Sequence, residues 1–289
     1  MKLLVVGARG QIARALAKHD GVFAVGRPTL NLERPETFAP VLDAHRADVV
    51  AIVGAYTAVD RAESEPDVAM RINAEGPAAL ARACAARGAP VLYVSSDYVF
   101  DGRKAAPYVE TDAASPQTAY GRSKTEGERG VLVAQPQSAI VRTSWVFDAA
   151  GQNFVRTMLR LAKTRERVGV VADQHGAPSY APHVADGLLA LAHALVQGEG
   201  AGVWHMTGAG DCTWAQFAEA IFVASAARGG PHATVNPITT AEFPTLARRP
   251  ANSRLDTGKL ARLGIMLPHW REGLEACVDE IAASGWDVA

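Results

Sequence analysis

The chain has little cysteine, no surplus of either charge sign and no long hydrophobic run, and each lack removes a class of function. Its three cysteines, Cys84, Cys212 and Cys277, stand far apart and form neither a C-x-x-C pair nor an even disulfide set. They suit a reducing cytosol, each as a small buried hydrophobe. Lysine and arginine total 29 against 30 acidic residues, a formal net charge of −1. No basic footprint is therefore offered to nucleic acid or to an acidic membrane surface. The apolar run before Gly7 is about five residues, too short for a signal-peptide core. The stretch from Gly187 to Val196 is broken by His193 and falls short of a membrane span. Repeats and low-complexity tracts are missing too. The expectation is a cytoplasmic protein with neither a membrane nor a nucleic-acid partner.

What is present is an ordinary globular balance. Of 289 residues, 48% are hydrophobic and 20% charged, enough for one large domain or two small ones. Through the first half, short apolar runs alternate with helical patterns, the signature of βαβ units around a parallel sheet. The runs Leu3–Val6, Val22–Val25, Val49–Val53, Val91–Ser95 and Ala139–Thr143 read as buried strands of a sheet covered on both faces. Helices are predicted near Gln11–Lys18, Pro35–His45, Pro66–Arg87 and Pro116–Leu132, the last with Ser115 as N-cap and Pro116 at its first position. Beyond about Trp145 the alternation loosens, with helices near Phe154–Lys163, Val184–Val196, Trp214–Ala227 and Glu272–Ala283. The expected fold class is α/β, a Rossmann-like doubly wound parallel sheet with a smaller mixed α/β substrate-binding lobe. Residues 1–147 are assigned to the dinucleotide-binding domain, segments near 181–207 return to it, and 148–289 make most of the lobe.

The stretch Gly7-Ala8-Arg9-Gly10-Gln11-Ile12-Ala13 falls between the first strand and the first helix. Glycine there permits a tight turn and close backbone approach to a pyrophosphate, and the helix start beyond it offers unpaired N–H groups. A carboxylate ending the second strand would bond the ribose diol of NAD; here that strand runs into Gly26-Arg27. Arg9 and Arg27 together can hold a 2′-phosphate, which favours NADPH and leaves NADH open. The alternative for either arginine is a solvated surface charge.

The helix near Pro116 carries Tyr120-Gly121-Arg122-Ser123-Lys124, and residues four apart share a helix face. A tyrosine of ordinary pKa, ~10, is a poor acid–base group at neutral pH, and an adjacent ammonium lowers it toward the working range. Tyr120 can then protonate a carbonyl oxygen as hydride reaches its carbon, while Lys124 also grips the cofactor ribose. The fourth strand ends in Ser95-Ser96-Asp97-Tyr98, at the sheet edge where ligands bind. Ser96 there can polarise the same carbonyl. Tyr-x-x-x-Lys alone is common by chance; its place after a serine-tipped strand of a glycine-loop fold gives it weight.

With these residues the chain resembles the extended short-chain dehydrogenases, and within them the dTDP-4-dehydrorhamnose reductases, over nearly its whole length. The resemblance is carried by GARGQIA near the start, AYTAVDRAE at 55–63, SSDYVFDG at 95–102, YGRSK at 120–124, VRTSWVF at 141–147, DQHGAPSY at 173–180 and RRPANSRLDTGKL at 248–260. It implies Ser96, Tyr120 and Lys124 as the catalytic group. It places Gly7, Gly10, Gln11 and Ile12 at the pyrophosphate, and Asn31, Leu32, Ala55 and Tyr56 around the adenosine and ribose. Val59, Asp97, Tyr98 and Trp145 fall around the sugar. Asn252 and Arg254 can orient the nucleotide end, arginine being suited to pyrophosphate oxygens, with a buried structural loop as the alternative for Asn252. The implied chemistry is reduction at C4 of a dTDP-4-dehydro-L-rhamnose to dTDP-L-rhamnose for cell-envelope polysaccharide.

The chain departs from the family pattern in places. Ala13 replaces a commoner glycine, and Ile52-Val53-Gly54 stands where Asn-Ala-Ala is usual. Some members hold magnesium at a dimer interface through acidic residues; Ala15 occupies the first such position, so no metal and a monomer or weak homodimer are expected. His175 has no partner at ligand spacing. Two rival functions stay open. A nucleotide-sugar dehydratase or epimerase shares the fold, though Tyr98 after Asp97 removes the second carboxylate that related dehydratases use. A non-catalytic regulator like that of methionine adenosyltransferase would bind cofactor without turnover.

Overall fold

Leu3 and Val5 of the first strand face one side of the sheet and Leu4 and Val6 the other, and all four are buried. A strand of this kind needs cover on both faces. A computed structural model describes residues 1–288 and supplies that cover. The first half runs β1 (Leu3–Val6), α1 (Gln11–Leu16), β2 (Val22–Val25), α2 (Phe38–His45), β3 (Val49–Ile52), α3 (Val59–Ser64), α4 (Pro66–Met70), α5 (Gly76–Ala85), β4 (Val91–Ser96), α6 (Ala119–Ala134) and β5 (Ala139–Thr143). The second continues through β6 (Val146–Phe147), α7 (Phe154–Ala162), β7 (Arg167–Val171), β8 (His175–Gly176), β9 (Ser179–Tyr180), α8 (Ala181–Val196), β10 (Gly202–His205), β11 (Cys212–Thr213), α9 (Trp214–Ala226), β12 (Thr234–Ile238), α10 (Gly258–Ala261) and α11 (Trp270–Ala283).

Six strands form one parallel sheet in the order β10-β5-β4-β3-β1-β2. Leu3, Val5, Val49 and Ala51 pack on one face under α1 and α8; Leu4, Val6, Val50 and Ile52 pack on the other under α2 and α5. The direction of winding reverses beside β1, whose neighbours are β2 and β3. In doubly wound sheets ligands bind at that reversal, outside the carboxyl ends of the strands. A second apolar core lies among α7, α9 and α11 and the parallel pair β7–β12, with Phe217, Ile221, Trp270 and Leu274 buried there. Among the described residues, no helix is long and apolar enough to cross a membrane.

Three local expectations need correction. β2 is an edge strand with Phe23 exposed, because a strand paired on one side only is covered incompletely. The helix expected over Pro66–Arg87 is interrupted by a π-helical segment, Arg71–Glu75. A helix beginning at Pro116 is also absent: α6 starts at Ala119, capped by Thr118, whose Oγ1 accepts from the Gly121 N–H at 3.0 Å. Ser115 is instead held by its own N–H, which donates to the Val99 carbonyl at 2.8 Å.

Candidate active site

The glycine turn after β1 lies at the winding reversal. Gly7 has φ +121°, and a Cβ there would stand 2.5 Å from the Gly54 nitrogen beyond β3. Only glycine allows the two loops to touch in this way. Gly10 is the N-cap of α1 with extended backbone, no side chain caps the helix, and the space over its Cα is open. Exposed N–H groups at a glycine turn suit the phosphate oxygens of a dinucleotide, so the residues present fit such a cofactor. Arg9 and Arg27 are both exposed, and Gly26 packs against Ala8 between them. Gln11 Nε2 donates to the Val146 carbonyl at 3.4 Å, and its Oε1 accepts from Asn153 Nδ2 at 3.0 Å. Ile12 is buried in the sheet core. Asn31 Oδ1 accepts from the Glu33 N–H, Leu32 is buried, and Ala55 and Tyr56 follow β3 half-buried.

Helix α6 brings Tyr120 and Lys124 to the carboxyl end of β4. It lies unusually close to its neighbours: a Cβ on Gly121 would meet the Tyr98 carbonyl oxygen at 2.2 Å, and one on Gly127 the Asn73 carbonyl oxygen at 2.1 Å. Tyr120 and Lys124 are both buried. Burial raises the Tyr120 phenol above its ordinary value, and the nearby Ser96 hydroxyl works the other way. Ser96 Oγ donates to Asp97 Oδ1 at 2.9 Å and accepts from the Tyr98 N–H at 3.3 Å. Serine, tyrosine and aspartate thus meet in one cluster at the strand tip.

Lys124 departs from expectation. Its ammonium donates to the Val94 carbonyl at 2.7 Å and lies 4.0 Å from the Tyr93 ring centroid. Burial lowers it to about 7, with Glu128, a turn further along the same face, acting in the opposite sense. The group that opposes the burial shift at Tyr120 is therefore the Ser96 hydroxyl, and the phenol stays protonated. Lys124, not Tyr120, is the group on this helix face that titrates near neutrality.

Val59, Tyr56, Tyr98 and Tyr120 share one small cluster, with Tyr98 edge-on to Tyr120 at 5.5 Å between ring centroids. Asp97 is buried; desolvation raises its carboxyl to about 6 against the opposing effect of the nearby Ser253 and Ser96 hydroxyls, and its Oδ2 has no partner within hydrogen-bond distance. Trp145, beyond β5, adopts φ +50°, a strained value for a bulky residue. Its indole stacks on Trp214 at 3.5 Å and 12°, and a Cβ on Gly176 would be 2.4 Å from the ring. The glycine vacates the space that the indole fills.

Asn252 and Arg254 are spent differently from expectation. Asn252 Nδ2 donates to the Lys104 and Ala106 carbonyls at 2.7 and 2.9 Å, and its Oδ1 accepts from Arg254 N and Nε. Its amide is saturated by a loop, the structural alternative. Arg254 also donates to the Ala105 carbonyl and faces Asp211 at 3.9 Å.

Sequence reasoning passed over several residues. Asn73, in the π-helical segment, clasps the Tyr56 backbone through both ends of its amide at 2.8 and 3.0 Å and donates to Ser123 Oγ on α6. Glu128 accepts from Ser95 Oγ and pairs with Arg142 through two bonds of 2.9 and 2.7 Å. Glu128 was open to discovery at Lys124 plus four; Asn73 carries no local signal. Among the described residues, no cluster of three or more histidine, cysteine or acidic side chains is placed to hold a metal.

A Tyr-x-x-x-Lys helix laid along a serine-tipped parallel strand, across from a glycine turn at the winding reversal, is the arrangement of an extended short-chain dehydrogenase. Comparison narrows this. A dTDP-4-dehydrorhamnose reductase of Sinorhizobium fredii is 44% identical, with all of both chains covered. The crystal structure of such a reductase from Clostridium acetobutylicum superposes with TM-score 0.91 at 35% identity, covering 98% of this chain and 100% of that one. One from Bacillus anthracis, in complex with NADP, gives 0.90 at 35% identity over 97% and 100% of the two chains. Residues 1–283 match the family described as RmlD substrate binding domain, and the chain belongs to that family.

Proposed function

We propose that this protein is an NADPH-dependent reductase that converts dTDP-4-dehydro-L-rhamnose into dTDP-L-rhamnose. The observation that carries the reading is the buried Tyr120 phenol, which lies near the Ser96 hydroxyl at the tip of β4 on the crevice side of the sheet. When bound, NADPH supplies the hydride that reduces the keto carbon. The residues of the chain do the rest. Gly7, Gly10, Gln11 and Ile12 present the turn to the pyrophosphate, Asn31, Leu32, Ala55 and Tyr56 flank the adenosine and ribose, and Arg9 and Arg27 select the 2′-phosphate. Ser96 holds the carbonyl oxygen, and Tyr120 gives that oxygen its proton, leaving an alcohol and a phenolate. Lys124, titrating near neutrality, stabilises the phenolate and helps to restore its proton. Asp97 accepts from a sugar hydroxyl, Tyr98 and Val59 border the ring, and Trp145 covers it. Arg254 faces the nucleotide end, with Asn252 holding it in place. A cytoplasmic setting and a monomer or weak homodimer complete the reading.

Tyr120→Phe tests it. Turnover should fall about 10²- to 10⁴-fold, the usual worth of a positioned proton donor, while NADPH affinity stays within about twofold. Turnover near that of the parent protein would remove Tyr120 from the reaction.

A further inference from the structure

The RRP segment at 248–250 is used by none of the steps above, yet it reaches the site from a distant part of the chain. Arg249 Nη1 donates to Tyr98 Oη at 2.9 Å. Its Nη2 pairs with Asp60 Oδ2, and Asp60 Oδ1 accepts from the Ala247 N–H at 3.0 Å. One carboxylate at the start of α3 thus clasps the 247–249 strap by both of its oxygens. The strap borders a cleft of about 450 Å³ lined also by Asp101, Arg103, Asp173 and Phe243. The contacts join residues 189 and 151 positions apart, so they define how the strap sits over the crevice.

From this geometry we infer that Arg249, held by Asp60, is a positioning residue that makes Tyr98 a directed hydrogen-bond donor to the sugar. A guanidinium has donors only. When it fills an acceptor site of the phenol oxygen, the phenol's own hydrogen must turn elsewhere. No acceptor for that hydrogen appears among the described residues, and the ring stands edge-on to Tyr120. The free O–H direction therefore belongs to a substrate oxygen close to the one that Tyr120 protonates. Asp97 Oδ2, buried and unpartnered next to Tyr98 in the chain, is a complementary acceptor. A donor beside an acceptor fits a polyhydroxylated ring carrying one keto oxygen, and a ring lacking the oxygen that faces Tyr98 loses that bond. Burial, the first cause, raises the Tyr98 phenol to about 12 and keeps it a donor at neutral pH.

The inference rests on the proposed reductase activity, and a double-mutant cycle on the NADPH-loaded enzyme separates the two. Arg249→Ala should raise KM for the keto-sugar nucleotide about tenfold or more, with NADPH affinity unchanged and Arg249→Lys recovering part of the loss. In a Tyr98→Phe background the same substitution should add less than about twofold, because Arg249 acts through the phenol. An undiminished effect in that background, or none in the parent, overturns the inference. Should the parent reduce no keto-sugar nucleotide, the reductase reading fails by itself, and the clasp is judged by amide exchange at Ala247. Asp60→Ala should speed that exchange at least tenfold; unchanged exchange overturns the clasp as well.

Discussion

Asp97 is a residue that the site folds at a cost. Its carboxyl is buried, one oxygen lacks a partner, and desolvation raises it from the ordinary aspartate value to about 6. The folded state therefore holds this proton more tightly than the unfolded chain. Between about pH 4 and pH 6 the folded state carries the extra proton, so stability contributed by this group falls as pH rises through that window. Asp97→Asn should abolish that slope and stabilise the protein at pH 7 by up to about 3 kcal/mol, at the expense of turnover. Urea unfolding at pH 4.5 and pH 7 measures it. A parent protein equally stable at both, with no gain in the variant, would contradict the desolvation account. A strained Trp145 and an unpartnered Asp97 oxygen in one crevice are the kind of local cost that functional sites carry.

At the scale of elements, α6 is fixed from three sides. Gly121 and Gly127 let it approach the Tyr98 and Asn73 carbonyls, and the buried Glu128–Arg142 pair ties it to β5 beside Ser95. Gly127→Ala would set a Cβ 2.1 Å from the Asn73 oxygen and 2.5 Å from Tyr93 Oη. Neither can retreat easily, since Tyr93 Oη donates to that same carbonyl at 2.6 Å. The substitution should cost about 2–3 kcal/mol and lower turnover at least tenfold, because Lys124 sits one turn ahead. Unfolding and kinetics of the variant check it, and full activity would mean that the helix position is not critical. The same helix shows what is legible in sequence. Tyr120 and Lys124 announce themselves because helical geometry pairs residues four apart. Its start is not so readable: Ser115 and Pro116 make a good cap locally, but the cap forms at Thr118, whose Oγ1 accepts from the Gly121 N–H. The π-helical break at Asn73 is invisible for a similar reason, since tertiary partners on Tyr56, Tyr93 and Ser123 hold it.

Across the whole molecule, the alternating first half makes the parallel sheet readable, because strands buried on both faces are continuous apolar runs. Contacts that join distant segments are not readable in this way. Arg249 and Asp60, Trp145 and Trp214, and Arg14 with the Ala150 carbonyl at 2.9 Å all meet only once the fold exists. Arg14 also donates to the Arg9 carbonyl at 2.7 Å, and Gln11 bonds Val146 and Asn153. The glycine turn is thereby joined to the segment that follows Trp145, so the proposed cofactor and sugar sites share one connected framework. The most direct test of that account is to mix the protein with NADPH and dTDP-4-dehydro-L-rhamnose and follow absorbance of the reduced nicotinamide. The account predicts loss of the signal with matching formation of dTDP-L-rhamnose. Tight NADPH binding with a flat trace, while Ser96, Tyr120 and Lys124 are intact, would contradict it.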